Sequence, residues 1–289
     1  MTVVYDPSKQ YEIKVWDVEY RTDPARTLMA RIYQPQAAGP LPVLLDLHGG
    51  AWNDQDRTAN APMDERLAAS GILVAAIDLR RAHEAPYPAS VADVNYGVRW
   101  LKHKAREWNG DPETLGALGS SSGGHELQLC AMRPRDPRYG AHPLLEAPHL
   151  DATPAYVVVR SPISDPLARY EQAKKMQREH LIKASETYFK PWETIFEGNP
   201  QRILERGELV TLAPMFVLQG ELDDNVLPAV QEKFVAAYRR AGGEIDYELF
   251  LGCEHRWVIN PGPQTDRAID MIKVFIAKQL RARPAQRSA

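Results

Sequence analysis

The sequence predicts an α/β fold: a doubly wound, mostly parallel sheet with an N-terminal antiparallel hairpin and a partial helical lid. Two patterns carry this reading. Short, dense apolar runs such as Val43–Leu47 and residues 72–79 fit strands buried on both faces, the arrangement of a parallel sheet covered by helices on each side. Between such runs lie segments of helical period, clearest where Val91, Val94, Val98, Leu101, Ala105 and Trp108 recur every three or four residues. Strand and helix alternate along the chain, which argues for βαβ units and parallel pairing.

The elements follow in order. Residues 12–21, with Ile13, Val15, Trp16 and Val18, read as a strand and residues 28–33 as a second; Asp23-Pro24 between them is a turn, so the two form an antiparallel hairpin. Val43–Leu47 ends at His48-Gly49-Gly50, residues 61–70 form a helix stopped by Gly71, and residues 72–79 are the next strand. The helix to Trp108 stops at Asn109-Gly110-Asp111-Pro112, and residues 114–118 then lead, as a short strand, into a helix over 124–131. Residues 133–154, rich in Pro, His and Asp, read as a surface excursion before a strand at 156–160.

Residues 167–210 hold mostly charged helical turns with Tyr170, Met176, Leu181, Ala184 and Tyr188 as loosely spaced apolar positions. Such an insertion is too long for a simple connection and reads either as a lid over a site, with Tyr188, Phe189 and Trp192 closing on a substrate, or as packing helices. A strand at 215–218, a helix at 226–241 with Leu227, Val230, Phe234 and Tyr238 on one face, a strand at 245–251 and a helix at 268–280 complete the chain. No internal repeat or low-complexity linker divides it, so one domain over 1–289 is expected, with insertions at about 133–154 and 167–210.

Composition narrows the function. A formal net charge of -3 over 289 residues gives no field for nucleic acid or an anionic membrane, and only the tail over 281–289 is basic. Cys130 and Cys253 make neither a disulfide framework nor a metal spacing, and Cys130 reads as a small buried hydrophobe in a helix. The first residues lack a signal-peptide pattern and no apolar run reaches the ~18 residues of a membrane span, so a cytoplasmic location is expected. The expected partner is a small-molecule ester or amide substrate, with no nucleic acid, no membrane span, no metal and no cofactor; the sequence also allows a homodimer.

The stretch Gly119-Ser120-Ser121-Ser122-Gly123 has the Gly-x-Ser-x-Gly pattern between a strand and a helix. A serine at such a sharp turn presents its hydroxyl outward, while the following helix N-terminus offers partial positive charge and a free N–H. Ser121 is the serine with glycines two residues away on both sides, which leaves Ser120 and Ser122 with backbone duties. The same composition would also suit a flexible loop; the company it keeps argues otherwise. An acid loop, Glu221-Leu222-Asp223-Asp224, follows one strand and His255 follows another, and in a parallel sheet the loops at strand carboxyl ends converge. Asp224 or Asn225 would also serve as a helix cap. His48-Gly49-Gly50-Ala51-Trp52 follows the strand at 43–47; its glycines let backbone N–H groups turn toward a developing oxyanion, with Gly50 or Ala51 and Ser122 as donors and His48 as a hydrogen-bonded turn residue.

On these residues the chain resembles a serine hydrolase of the α/β-hydrolase fold, near the hormone-sensitive-lipase-like and related acetyl- and feruloyl-esterase group. His48 to Trp52 is similar to that group's HGGG-type motif, with Ala51 in the place of the third glycine; residues 78–88, Asp93 and Trp100-Leu101 resemble the stretch that follows. The resemblance implies Ser121 as nucleophile, Asp223 as acid and His255 as base, with Gly49, Gly50, Ala51 and Ser122 around the oxyanion. It implies ester hydrolysis through an acyl-serine. The His-Gly-Gly-Ala-Trp run is also similar to kynurenine formamidases, which makes N-formyl amide hydrolysis the rival; a non-catalytic binding protein on the same fold is a third reading. Trp52 and Trp257 flank the oxyanion segment and the base, and are expected either to wall a substrate pocket or to pack in the core.

Overall fold

The computed structural model describes residues 3–22 and 26–282. The Asp23-Pro24 turn and the basic tail beyond Ala282 lie outside the described residues. Strands β1 (Ile13–Thr22), β2 (Thr27–Pro35), β3 (Val43–Leu47), β4 (Leu73–Ile77), β5 (Gly116–Ser120), β6 (Val157–Arg160), β7 (Met215–Gly220) and β8 (Ile245–Phe250) form one sheet in the order β1-β2-β4-β3-β5-β6-β7-β8. The first two pair antiparallel, β2 joins β4 antiparallel, and every pairing from β4 to β8 is parallel. This is the mostly parallel sheet that the apolar runs predict.

The helices are α1 (Ala61–Ala69), α2 (Ala89–Lys104), α3 (Ser122–Met132), α4 (Pro166–Lys175), α5 (Glu179–Tyr188), α6 (Thr194–Glu197), α7 (Pro200–Glu205), α8 (Pro228–Arg240) and α9 (Pro263–Ala282). Alternate residues of each central strand face opposite layers. On β4, Leu73, Ala75 and Ile77 meet the layer built on Val91, Val94 and Val98 of α2, Leu127 of α3 and Phe234 of α8. Val74 and Ala76 meet the other layer, with Leu67 of α1 and Ile269, Ile272 and Ile276 of α9. Burial on both sides is why these strands are continuous apolar runs rather than alternating ones.

The helix ending at Trp108 tightens into a 3-10 turn over Ala105–Trp108 and stops where Asn109 turns left-handed, φ 63°. The helix expected over 124–131 begins earlier, at Ser122, because the chain reverses in a single residue after β5. The excursion over 133–154 has no helix or strand but is tied inward: Tyr139 is buried and its hydroxyl lies 2.7 Å from that of Tyr87. The insertion over 167–210 also packs inward. Tyr188, Phe189, Ile195 and Ile203 join the layer of α2 and α3, and Tyr188 stacks on Trp52 at 4.5 Å, whereas Met176 and Leu209 are exposed.

One ionisable group is caught in this packing. Glu126 of α3 is 2% exposed and faces Ser90 of α2 and Tyr188 of α5, and burial pushes its carboxyl up to about 8. An unfolded chain holds that proton only below ~4.3. The folded state therefore binds more protons between these values, and stability falls as pH rises from ~4.3 to about 8. Glu126→Gln removes this loss, so the melting temperature of the variant relative to wild type should climb across that window and level off above it. Parallel melting curves at every pH would refute the assignment.

Candidate active site

The site begins with a close approach of backbone to backbone. Ser121 sits between β5 and α3 at φ 50°, ψ −113°, a conformation an L-residue holds only when its surroundings enforce it. They do so by hydrogen bonds: the Ser121 N–H donates to the Arg160 carbonyl on β6 at 2.9 Å, and the Ser121 carbonyl accepts from His125 N–H at 3.1 Å and Ile163 N–H at 3.2 Å. The turn is tight enough that a Cβ on Gly123 would lie 2.3 Å from the His48 carbonyl oxygen, so only glycine fits there. Of the serines at 120–122, Ser121 has its hydroxyl on an imidazole; Ser120 Oγ faces Asn60 and Arg160, and the buried Ser122 Oγ has no hydrogen-bond partner among the described residues.

The carboxyl ends of β7 and β8 bring the other members. Ser121 Oγ lies 3.0 Å from His255 Nε2, and His255 Nδ1 lies 2.8 Å from Asp223 Oδ2. Asp223 is 2% exposed, and its Oδ1 accepts from the N–H groups of Asn225 at 3.0 Å and Val226 at 2.8 Å, while Gln219 Nε2 donates to Oδ2 at 3.0 Å. Burial alone would push this carboxyl up, but the hydrogen bond to His255, the positive charge that ring carries when protonated and the Val226 N–H together hold it below the usual carboxylate range. Asp223 is thus ionised at neutral pH and fixes the imidazole with its Nδ1 as donor, leaving Nε2 to accept the serine proton. Asp224 points away to Arg178 on the α4–α5 connection, and Asn225 to Arg169, so neither acts as a side-chain helix cap; the residue before α8 is Leu227.

The segment after β3 closes over the serine. A Cβ on Gly49 would come within 3.3 Å of both Ser121 Cβ and the Ser120 carbonyl oxygen, and Gly50, Ala51 and Trp52 run in succession at φ 98°, 50° and 64°. Successive left-handed residues turn peptide N–H groups to one side, and Ser122 at the start of α3 carries one of that helix's free N–H groups. His48 is buried with Nδ1 2.9 Å from the Gly49 carbonyl oxygen, and burial lowers its proton affinity, as a turn residue rather than a base requires.

The two tryptophans lie in different layers. Trp52 is 4% exposed, stacked on Tyr188, and its indole N–H donates to His125 Nδ1 at 3.2 Å. Trp257 stacks on Phe250 at 4.3 Å, on the side of α1 and α9. Both rings are engaged in core packing.

Several residues that steady the site escape a reading of the sequence. Arg160 is buried beneath Ser120 with Asp46 and Asp64 as its neighbouring charges; burial lowers its proton affinity, against both carboxylates. Burial likewise pushes Asp46 up to about 6, opposed by Arg160 and by Asn60, whose amide donates to it at 2.8 Å. Gln219 and the Asn225 N–H brace the acid, and Arg169 reaches Asn225 from α4. The available signal was a polar side chain closing an apolar run, as Arg160 and Gln219 do. Among the described residues no cluster of three or more His, Cys, Asp or Glu is arranged to hold a metal ion, and no helix is long and apolar enough to cross a membrane.

The BD-FAE family model matches residues 31–237. The chain is 35% identical over 102 residues to a probable carboxylic ester hydrolase, LipM, of Mycobacterium tuberculosis, a match covering 35% of this chain and 24% of that protein. It is 26% identical over 245 residues to the esterase LipQ of the same organism, covering 82% of this chain and 55% of LipQ. The chain thus spans between about a quarter and about a half of the length of these curated relatives. Among solved structures, esterase B of Lactobacillus rhamnosis superposes with TM-score 0.76 at 18% identity, over 94% of this chain and 88% of that one. A propionate-bound esterase, Est2, of Thermogutta terrifontis gives 0.68 at 22%, over 93% and 94%.

The row of hydrogen bonds predicts unequal roles for the adjacent acids. A fluorophosphonate should label Ser121 stoichiometrically; Asp223→Asn should slow labelling by about two orders of magnitude or more, by analogy with the loss of the orienting acid elsewhere, and Asp224→Asn should leave the rate within a factor of a few. Equal losses, or a larger loss for Asp224→Asn, would contradict the geometry.

Proposed function

The chain belongs to the BD-FAE family, and from that premise we propose that it is a serine hydrolase cleaving carboxylic esters of small to medium size through an acyl-Ser121 intermediate. The observation that carries the proposal is the continuous row Ser121 Oγ–His255 Nε2, His255 Nδ1–Asp223 Oδ2 at 3.0 and 2.8 Å. His255 takes the Ser121 proton as Oγ attacks the ester carbonyl, and Asp223 balances the imidazolium that forms. The N–H of Ser122, with Gly50 or Ala51, receives the charge on the carbonyl oxygen. His255 then protonates the leaving alcohol, activates water, and the acyl group leaves as the acid. These steps use only side chains, backbone and water.

Ester cleavage is supported over formamide cleavage by the relatives, which are named as ester hydrolases. A binding protein without chemistry has no need of a strained serine set against a buried His–Asp pair. One domain carries the activity, since every strand from β1 to β8 joins the same sheet. A reducing, cytoplasmic setting fits the free thiols of Cys130 and Cys253.

On p-nitrophenyl acetate, Ser121→Ala should lower kcat by roughly 10³-fold or more. The wild-type specificity constant should be higher for that ester than for N-formylkynurenine. The reverse ranking would transfer the proposal to the formamidase.

A further inference from the structure

Arg169 of α4 is a buried cation with an unfilled hydrogen-bond donor, packed between Asn225 and the Trp52 ring. It is 3% exposed. Its Nε donates to Asn225 Oδ1 at 3.0 Å, Nη1 makes a long 3.4 Å contact to Ser185 Oγ, and Nη2 has no hydrogen-bond partner among the described residues. The guanidinium carbon lies 5.4 Å from the Trp52 ring centroid. Its nearest acidic influence is Asp223, whose oxygens are already occupied by His255, Gln219 and the N–H groups of Asn225 and Val226. Asn225 is two residues past Asp223 and Trp52 belongs to the turn over Ser121, so the guanidinium is bracketed by the two segments that frame the site.

Taking a guanidinium out of water without a carboxylate partner is costly, and stacking on an indole offsets only part of that cost. Burial depresses its proton affinity to about 10, so the group remains a cation at neutral pH. Holding Asn225 needs Nε alone. That leaves the Nη1–Nη2 edge of a planar fork, the geometry that matches a carboxylate in two parallel hydrogen bonds.

Building on the ester-hydrolase reading, we infer that Arg169 is a specificity-determining residue that receives a carboxylate carried by the substrate, so that the preferred substrates are esters bearing a negative charge. The missing partner of the buried cation is then supplied by the molecule being cleaved, and neutral esters leave it unpaired.

The test compares substrates that differ only in that charge. One series is the monomethyl esters of short linear dicarboxylic acids against methyl esters of the matching monocarboxylic acids. The other is acetate esters of ω-hydroxy acids against acetates of the matching alcohols. In at least one series wild type should favour the charged ester in kcat/KM by about tenfold or more, the range of one hydrogen bond to a charged group. Arg169→Gln should bring this ratio to about one, and Arg169→Lys, which keeps the charge without the fork, should fall between. Because the ratio is taken within one enzyme preparation, partial misfolding of a variant cancels. The inference is overturned if wild type shows no preference for charge in either series, or if Arg169→Gln slows both esters alike and leaves the ratio intact. Absence of any Ser121-dependent cleavage in both series would instead sink the ester reading, and this inference with it.

Discussion

The site depends on one backbone conformation that Ser121 would not adopt by itself. A non-glycine residue held at such dihedrals costs on the order of 1–3 kcal/mol, and the structure offsets this with bonds drawn from three directions: Arg160 on β6, His125 on α3 and Ile163 on the following loop. The return is geometric. His255 from beyond the end of β8 reaches the hydroxyl, Asp223 from beyond the end of β7 reaches His255, and the segment after β3 packs Gly49 against Ser121. Replacing Gly123 would push α3 away from the carbonyls of Leu47 and His48 and loosen the serine and its neighbouring backbone at the same time.

Charge is distributed around this turn with opposite consequences. Asp223 is buried but multiply hydrogen-bonded, so it stays ionised and orients His255. Glu126 is buried midway along α3 with less support and is pushed the other way. Beneath Ser120, Arg160 shares a buried space with Asp46 and Asp64; Arg169 of α4 lies against Asn225 and Trp52 with no ion pair among the described residues. The local partners, more than depth alone, decide which of these groups holds its charge.

Much of this was legible in the chain. Continuous apolar runs revealed the parallel strands because burial on both faces leaves no room for alternation, and the Gly-x-Ser-x-Gly, Asp and His stretches each fell at a strand end. What the residues alone left open were matters of direction and long-range contact. Asp223 and Asp224 are adjacent, and only the folded loop turns one to His255 and the other to Arg178. Trp52 and Trp257 flank the motifs in sequence, yet the sheet passes between their layers. The start of α3 at Ser122, the inward packing of Tyr188 and Phe189, and the bracing by Gln219, Asn225, Arg160 and Arg169 all rest on contacts between distant segments, which periodicity does not carry.

The account stands on Ser121 as the atom that takes the acyl group. Acid-quenching the enzyme within milliseconds of mixing with a p-nitrophenyl ester, followed by proteolysis and mass spectrometry, reads that atom directly. The account predicts one acyl group, on the peptide of Gly119 to Gly123 and localised by fragmentation to Ser121. An acyl group on another residue, or turnover with no acyl-enzyme detectable under burst conditions, would contradict it.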